Sequence, residues 1–234
     1  MSQPPKPSAT ADPGLSPDKR LAFAYLRGRD RRAVAALFAV DAALADVLRT
    51  TSEPMVGQIR LAWWRERLEA LDSGEAPPPE PRLLAVRHEL LPRGVKGRDL
   101  ARLERGWMSL FDPFPWDAGT AEAIWFRGRQ LFAVAAQMLG STDDAIEGAG
   151  GIWALVDAAR HCSDAASRDM LLAQARTFGG ALAGARFPTA LRPLSMLAAM
   201  AVRDTRRPQP FEREGAPGRA AVMFLHRATG RFPS

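Results

Sequence analysis

The fold of this chain is decided by residues 53–71, which read EPMVGQIRLAWWRERLEAL and place two adjacent tryptophans inside a helical pattern. Adjacent residues of a helix point about 100° apart, so the two tryptophans belong to different apolar stripes. The first stripe contains Leu61, Trp64, Leu68 and Leu71, and the second contains Met55, Ile59 and Trp63. Because the two stripes together cover a wide sector, we expect neighbours to pack against this helix on more than one side, with Trp64 mostly buried.

Apolar residues recur at helical spacing along almost the whole chain, and alternating strand-like runs are nearly absent. Capping and breaking residues divide this pattern into about nine or ten helices. Pro54 opens the tryptophan helix, and Thr120 is predicted to cap a helix that ends at Gly140. A continuous helix is predicted over 97–111. A short helix over 141–149 is expected to precede a longer one over 150–164.

These helices predict one all-α domain over residues 16–234, larger than a four-helix bundle. Hydrophobic residues make up 47% of the 234, which is enough for a sizeable core. Residues 1–15 are rich in proline and polar residues and are predicted to be a disordered leader, with no secretory signal. The single cysteine, Cys162, excludes an internal disulfide and suits a cytoplasmic location.

The formal net charge of +6, carried mostly by arginine, favours anionic partners such as phosphorylated metabolites or an anionic membrane surface. Because no apolar run approaches the roughly 20 residues of a membrane span, any membrane contact is expected to be peripheral, electrostatic and at the inner face. The basic residues are spread along the chain without interleaved aromatic residues, so nucleic acid is not an expected partner.

Asp41 is anomalous because it lies on the apolar stripe of the preceding helix, between Leu37 and Leu44. A carboxylate in that position must pair with a cation, bind a metal or face a cavity, since an isolated buried charge is strongly unfavourable. A salt bridge to an arginine is the interpretation favoured here.

A second anomaly is the segment WALVDAARHCSDAASRD, residues 153–169. Asp157, His161 and Asp164 have i, i+4, i+7 spacing, which would place them on one face of one helix, with Arg160 beside them. Two carboxylates and an imidazole could hold a divalent cation there, although a solvated helix face gives the same pattern. Walker, GxGxxG, HExxH and CxxC motifs are all missing from the sequence.

Residues 36–71, together with residues 153–169, resemble the squalene/phytoene synthase family, most clearly from Glu53 to Glu66. The resemblance implies an all-α isoprenoid-synthase-like bundle around a central cavity. In the active members two aspartate-rich helices face each other across that cavity and hold Mg²⁺ ions, and two prenyl diphosphates are condensed head to head.

This sequence departs from the family pattern in both aspartate-rich motifs. In the first, Asp46 alone matches an acidic position, and Arg49 occupies the last acidic place. The second corresponds to Asp157, Arg160, His161 and Asp164, with a histidine in the central acidic place. The helix over 122–140, which corresponds to the family's tyrosine-rich substrate helix, contains no tyrosine.

The resemblance and these departures together predict a noncatalytic family member that needs no cofactor and binds a prenyl or other lipid ligand, or a protein partner. The alternative is an active Mg²⁺-dependent prenyl diphosphate transferase with a reduced site. Its catalytic candidates are Asp46, Asp157 and Asp164, its metal ligands are Asp46, Asp157, His161 and Asp164, and its diphosphate-binding residues are Arg49 and Arg160. A helical scaffold that has kept only the fold is a third hypothesis.

Overall fold

The computed structural model describes residues 15–207 and 209–232. Within these ranges the regular structure is helical, and the pairing of extended segments is limited to an isolated antiparallel bridge between Arg186 and Arg231. The all-α prediction is therefore confirmed. The predicted leader, apart from Leu15, lies outside the described residues. No helix in the described part of the chain is long and apolar enough to cross a membrane.

Eleven α-helices are formed by the described residues: α1 (Pro17–Phe23), α2 (Gly28–Arg49), α3 (Pro54–Ala70), α4 (Pro81–Ala85), α5 (Gly97–Ala101), α6 (Glu104–Met108), α7 (Ala118–Met138), α8 (Asp144–His161), α9 (Ala165–Ala181), α10 (Arg192–Thr205) and α11 (Pro217–Thr229). Short 3₁₀ and π turns extend several of them. The four helices with the fewest residues, α1 and α4 to α6, lie in the N-terminal half.

Three predicted helix boundaries were wrong. The helix predicted over 97–111 is divided into α5 and α6, because Leu103 and Gly106 make tighter i to i−3 backbone hydrogen bonds at the junction. The two helices predicted over 141–164 are one helix, α8. Helix α7 is capped by Asp117, whose carboxylate accepts a hydrogen bond of 2.9 Å from the backbone N–H of Thr120.

Helix α8 continues through its glycines because they are contact points with α7. A Cβ atom added to Gly150 would lie 2.3 Å from the carbonyl oxygen of Gly128, and one added to Gly128 would lie 2.2 Å from the carbonyl oxygen of Gly150. The two backbones therefore touch at these glycines, and larger residues would separate the helices. Close packing, and not a chain break, accounts for the glycines at this point.

Helix α3 buries only one of its two apolar stripes. Leu61, Leu68 and Trp64 face the core, and Trp64 is 8% exposed, as predicted. By contrast, Met55 is 73% exposed and Trp63 40% exposed, so the expectation of packing on more than one side was wrong. The Trp63 ring meets the Trp64 ring edge-on at 5.3 Å, which shields part of its surface without a further neighbouring helix.

An aromatic cluster joins α2, α7 and α8. Phe38 of α2, Phe132 of α7 and Trp153 of α8 have ring centroids 5.7 to 6.2 Å apart. Since such contacts fix the spacing of the helices, the cluster sets the separation of α2 from α8.

Candidate functional site

A cavity of about 610 Å³ lies between α2 and α8. Its apolar lining includes Ala42, Ala45 and Leu48 of α2, Ala158 of α8, and the aromatic side chains of Trp107, Phe114 and Trp116. Phe114 is exposed. A space of this size, with apolar walls and a few polar groups, is typical of sites for small ligands.

The structure brings five of the six predicted site residues to this cavity. Asp46 and Arg49 line it from α2, and Asp157, Arg160 and His161 line it from α8. The two sequence segments that carry the family resemblance thus contribute to one cavity, although residues 72–152 lie between them along the chain.

Asp164 does not line the cavity. Helix α8 ends at His161, and Asp164 is instead the N-cap of α9, where its carboxylate accepts hydrogen bonds from the backbone N–H of Ser167 at 2.8 Å and from the Ser167 hydroxyl at 2.7 Å. These hydrogen bonds lower the pKa of Asp164. The interpretation of Asp157, His161 and Asp164 as one face of one helix was therefore wrong.

Asp46, the remaining acid of the first motif, is compensated by arginines. Its carboxylate is paired with Arg49 one turn along α2 and approaches the Nη2 atom of Arg82 at 3.7 Å. Arg49 thus neutralises Asp46 from the position where the family pattern has an acid.

Asp41 is paired with a buried arginine, as predicted. Its Oδ1 atom accepts hydrogen bonds from the indole Nε1–H of Trp107 at 2.8 Å and from Nη1 of Arg127 at 3.3 Å. The Nη2 atom of Arg127 lies 3.6 Å from Oδ2 of Asp157. One guanidinium therefore bridges carboxylates from the two helices that face each other across the cavity.

Arg127 was missed by the sequence reasoning. It is 1% exposed, and its guanidinium carbon lies 3.9 Å from the centre of the Trp107 ring. The available signal was its position on an apolar stripe of α7, three residues after Ile124 and four before Leu131. A cation on an apolar stripe, like the carboxylate of Asp41, requires a partner when it is buried.

Asp157 is stabilised as a carboxylate by several positive groups. Burial by itself raises the pKa of Asp157, but the charges of Lys19, Arg127 and His161 outweigh that effect, so its pKa is lowered overall. The Nδ1 atom of His161 lies 2.8 Å from the backbone carbonyl oxygen of Asp157. Because a carbonyl can only accept, Nδ1 of His161 carries a proton.

Arg160 is committed to an ion network behind the cavity wall. It donates hydrogen bonds of 2.8 Å to Oδ2 of Asp204 and to the backbone carbonyl of Glu212. Asp204 also pairs with Arg219, which in turn pairs with Asp18. Binding of a diphosphate by Arg160 would have to compete with these contacts, and its predicted role as a diphosphate-binding residue stays a prediction.

The cavity fits a cluster of magnesium ions poorly. The described residues contain no group of three or more histidine, cysteine, aspartate or glutamate side chains that could hold a metal ion. Asp46 is paired with Arg49, and Asp157 faces Arg127. Mg²⁺ would have to displace these cations. The metal site predicted on Asp46, Asp157, His161 and Asp164 stays a prediction.

In the comparison with protein families, the squalene/phytoene synthase model matches residues 15–108. The matched residues contain α1 to α6 and so include Asp46 and Arg49, whereas α8 follows the matched part. No curated protein and no solved structure gave a significant match.

Proposed function

We propose that this chain, whose residues 15–108 match the squalene/phytoene synthase model, is a noncatalytic member of that family and binds an isoprenoid or similar lipid in the cavity between α2 and α8. The observation that carries this proposal is that the cavity is present, while arginines pair with the carboxylates that would hold Mg²⁺ in active members. Arg127 lies between Asp41 and Asp157, and Arg49 is paired with Asp46.

The chemistry of the family explains why this replacement matters. Ionisation of an allylic diphosphate requires strong neutralisation of the leaving group, which bound Mg²⁺ supplies in active members. A guanidinium that is already paired with carboxylates offers little further positive charge to a leaving diphosphate. The apolar walls do not depend on the metal, so lipid binding can persist when ionisation is lost.

Lipid carried through purification tests this proposal. The native protein is purified without detergent and extracted with organic solvent, and the extract is analysed by mass spectrometry. Ala45 lines the cavity and is only partly buried, so Ala45→Phe should fill part of the space. Ala173 is exposed on α9, and Ala173→Phe is the matched control.

We expect a near-stoichiometric isoprenoid or related lipid with the native protein and with Ala173→Phe, and a loss of about tenfold or more with Ala45→Phe. Equal lipid content in both variants would place the lipid elsewhere on the protein. A lipid-free native protein that also fails to bind added isoprenoids would contradict the proposed function.

The second candidate function is an active Mg²⁺-dependent prenyl diphosphate transferase. It is favoured by one observation, which is that Asp46 and Asp157 line the same cavity from different helices. Metal-dependent formation of a head-to-head condensation product from labelled prenyl diphosphate would separate it from the noncatalytic function.

A further inference from the structure

The charged groups that line the cavity compensate one another. Four carboxylates line it, from Asp41, Asp46, Asp157 and Glu214. Three permanent cations line it, from Lys19, Arg49 and Arg160. Arg127 lies between Asp41 and Asp157 and adds a further cation behind this lining, so these carboxylates are already compensated.

Each of the three cations already interacts with an acid. Arg49 is paired with Asp46, and Arg160 donates to Asp204 at 2.8 Å. The charge of Lys19 acts on Asp157, and its Nζ atom lies 5.1 Å from the centre of the Trp153 ring. A diphosphate could recruit these cations only by separating them from their present partners.

The lining of the cavity also offers hydrogen-bonding groups that suit an uncharged ligand. The Oγ atom of Ser16 is buried and has no hydrogen-bond partner among the described residues. His161 has Nδ1 committed to the Asp157 carbonyl, so Nε2 is the ring nitrogen left for a ligand. The Asp157 carboxylate is an acceptor. A hydroxyl group can donate to such acceptors and accept a hydrogen bond from Ser16.

We infer that the cavity selects an uncharged isoprenoid alcohol over the prenyl diphosphate of the same chain length. This inference rests on the proposed function, because it specifies the ligand of that same cavity. The apolar walls contact the hydrocarbon chain and the acceptors at the polar end receive the hydroxyl proton, whereas a diphosphate would have to break the ion pairs that already engage the cations.

Three ligands that share the same hydrocarbon chain and differ in the polar group test the inference. Farnesol, farnesyl methyl ether and farnesyl diphosphate are titrated into lipid-stripped protein, once with a chelator and once with Mg²⁺. Quenching of tryptophan fluorescence follows binding, since Trp107 and Trp116 line the cavity. Farnesol should bind about tenfold or more tightly than the diphosphate in either condition, and the ether should bind more weakly than the alcohol because it has no proton to donate.

A charge variant makes the electrostatic part of the argument specific. Glu214→Gln removes one carboxylate from the lining and should tighten diphosphate binding severalfold while changing farnesol binding by less than about twofold. Glu122 is exposed on α7 and does not line the cavity, so Glu122→Gln should change neither affinity. An unchanged diphosphate affinity in Glu214→Gln would overturn the electrostatic explanation.

The outcomes also separate this inference from the proposed function. Binding of the diphosphate as tight as or tighter than that of farnesol would overturn the inference and leave a lipid-binding function standing. Failure of all three ligands to bind, together with a lipid-free native protein, would contradict both.

Discussion

Arg127 of α7 and Asp41 of α2 form an ion pair of 3.3 Å in the interior of the protein, where their side chains are 1% and 5% exposed. The same guanidinium reaches Asp157 of α8 at 3.6 Å. One side chain thus links the helices that carry the two altered motifs. Buried charges of this kind are stable only while each has its partner, so the pair makes the geometry of the cavity sensitive to single substitutions.

Substitution of this buried cation is expected to destabilise the fold. Arg127→Met should lower the free energy of unfolding by about 3–5 kcal/mol, because it leaves Asp41 and Asp157 without their shared cation. Arg129 on the same helix forms an exposed pair with Glu147 at 2.8 Å. Arg129→Met should therefore change the free energy of unfolding by less than about 1 kcal/mol. Urea denaturation measures both values, and equal losses would contradict the importance assigned to Arg127.

The two adjacent tryptophans of α3 should differ sharply in their contribution to stability. Trp64→Ala removes a buried ring from the core and should lower the free energy of unfolding by about 3–5 kcal/mol. Trp63→Ala removes a ring that is 40% exposed and should lower it by about 1 kcal/mol. Denaturation of the two variants under the same conditions tests this, and a larger effect at Trp63 would show that the second stripe is covered.

The contact between α7 and α8 should tolerate no side chain at its closest point. Gly128→Ala would place a Cβ atom 2.2 Å from the Gly150 carbonyl oxygen and should destabilise the protein by about 1–3 kcal/mol. Gly180 of α9 has no atom within 4 Å of the corresponding position, so Gly180→Ala should be neutral or stabilising by up to about 1 kcal/mol. Thermal denaturation distinguishes the two, and a neutral Gly128→Ala would mean that the helices can separate at little energetic expense.

A buried histidine near the C-terminus should make stability depend on pH. The Nε2 atom of His226 lies 2.7 Å from the Ser195 hydroxyl, and Nδ1 lies 2.9 Å from the Arg231 carbonyl. Burial lowers the pKa of His226 to about 4, assisted by the charge of Arg192 and opposed by the hydrogen bond to the Arg231 carbonyl. The unfolded state, with the ordinary pKa near 6.5, therefore takes up a proton first as the pH falls.

The stability contributed by neutral His226 should accordingly be present above about pH 6.5 and be lost between about 6.5 and 4, by up to roughly 3 kcal/mol. His226→Gln should reduce the slope of unfolding free energy against pH in this range. His88 is exposed, and His88→Gln should keep the wild-type slope. An unchanged slope in His226→Gln would mean that this imidazole can be protonated without loss of the native packing.

Catalysis by head-to-head condensation is not expected. The purified protein, supplied with labelled farnesyl or geranylgeranyl diphosphate and with Mg²⁺ or Mn²⁺, should form no squalene, phytoene or cyclopropyl precursor. The physical reason is that the carboxylates that would have to bind the metal, Asp46 and Asp157, are already paired with arginines. Metal-dependent product that disappears in the variant Asp157→Asn/Asp164→Asn would establish the transferase instead.

Much of the candidate site could be predicted from residue types at helical spacing. Asp41 was anomalous on its stripe and proved to be paired with an arginine. Asp46, Arg49, Asp157, Arg160 and His161 were identified through the family resemblance and share one cavity. Asp164 was assigned to the wrong element, because i, i+7 spacing does not reveal that a helix ends at His161 and a new one is capped three residues later.

The helical class and the burial of Trp64 could be predicted from the sequence, since both depend on local periodicity. The resemblance of short segments to the squalene/phytoene synthase family agrees with the family model, which matches residues 15–108. Which charges meet depends on the tertiary structure. Nothing local pairs Arg127 with Asp41, 86 residues away, or shows that Met55 and Trp63 lack a covering helix. Such contacts depend on how α2, α7 and α8 pack across the glycine contact and the aromatic cluster, and a pattern within one helix carries no information about its neighbours.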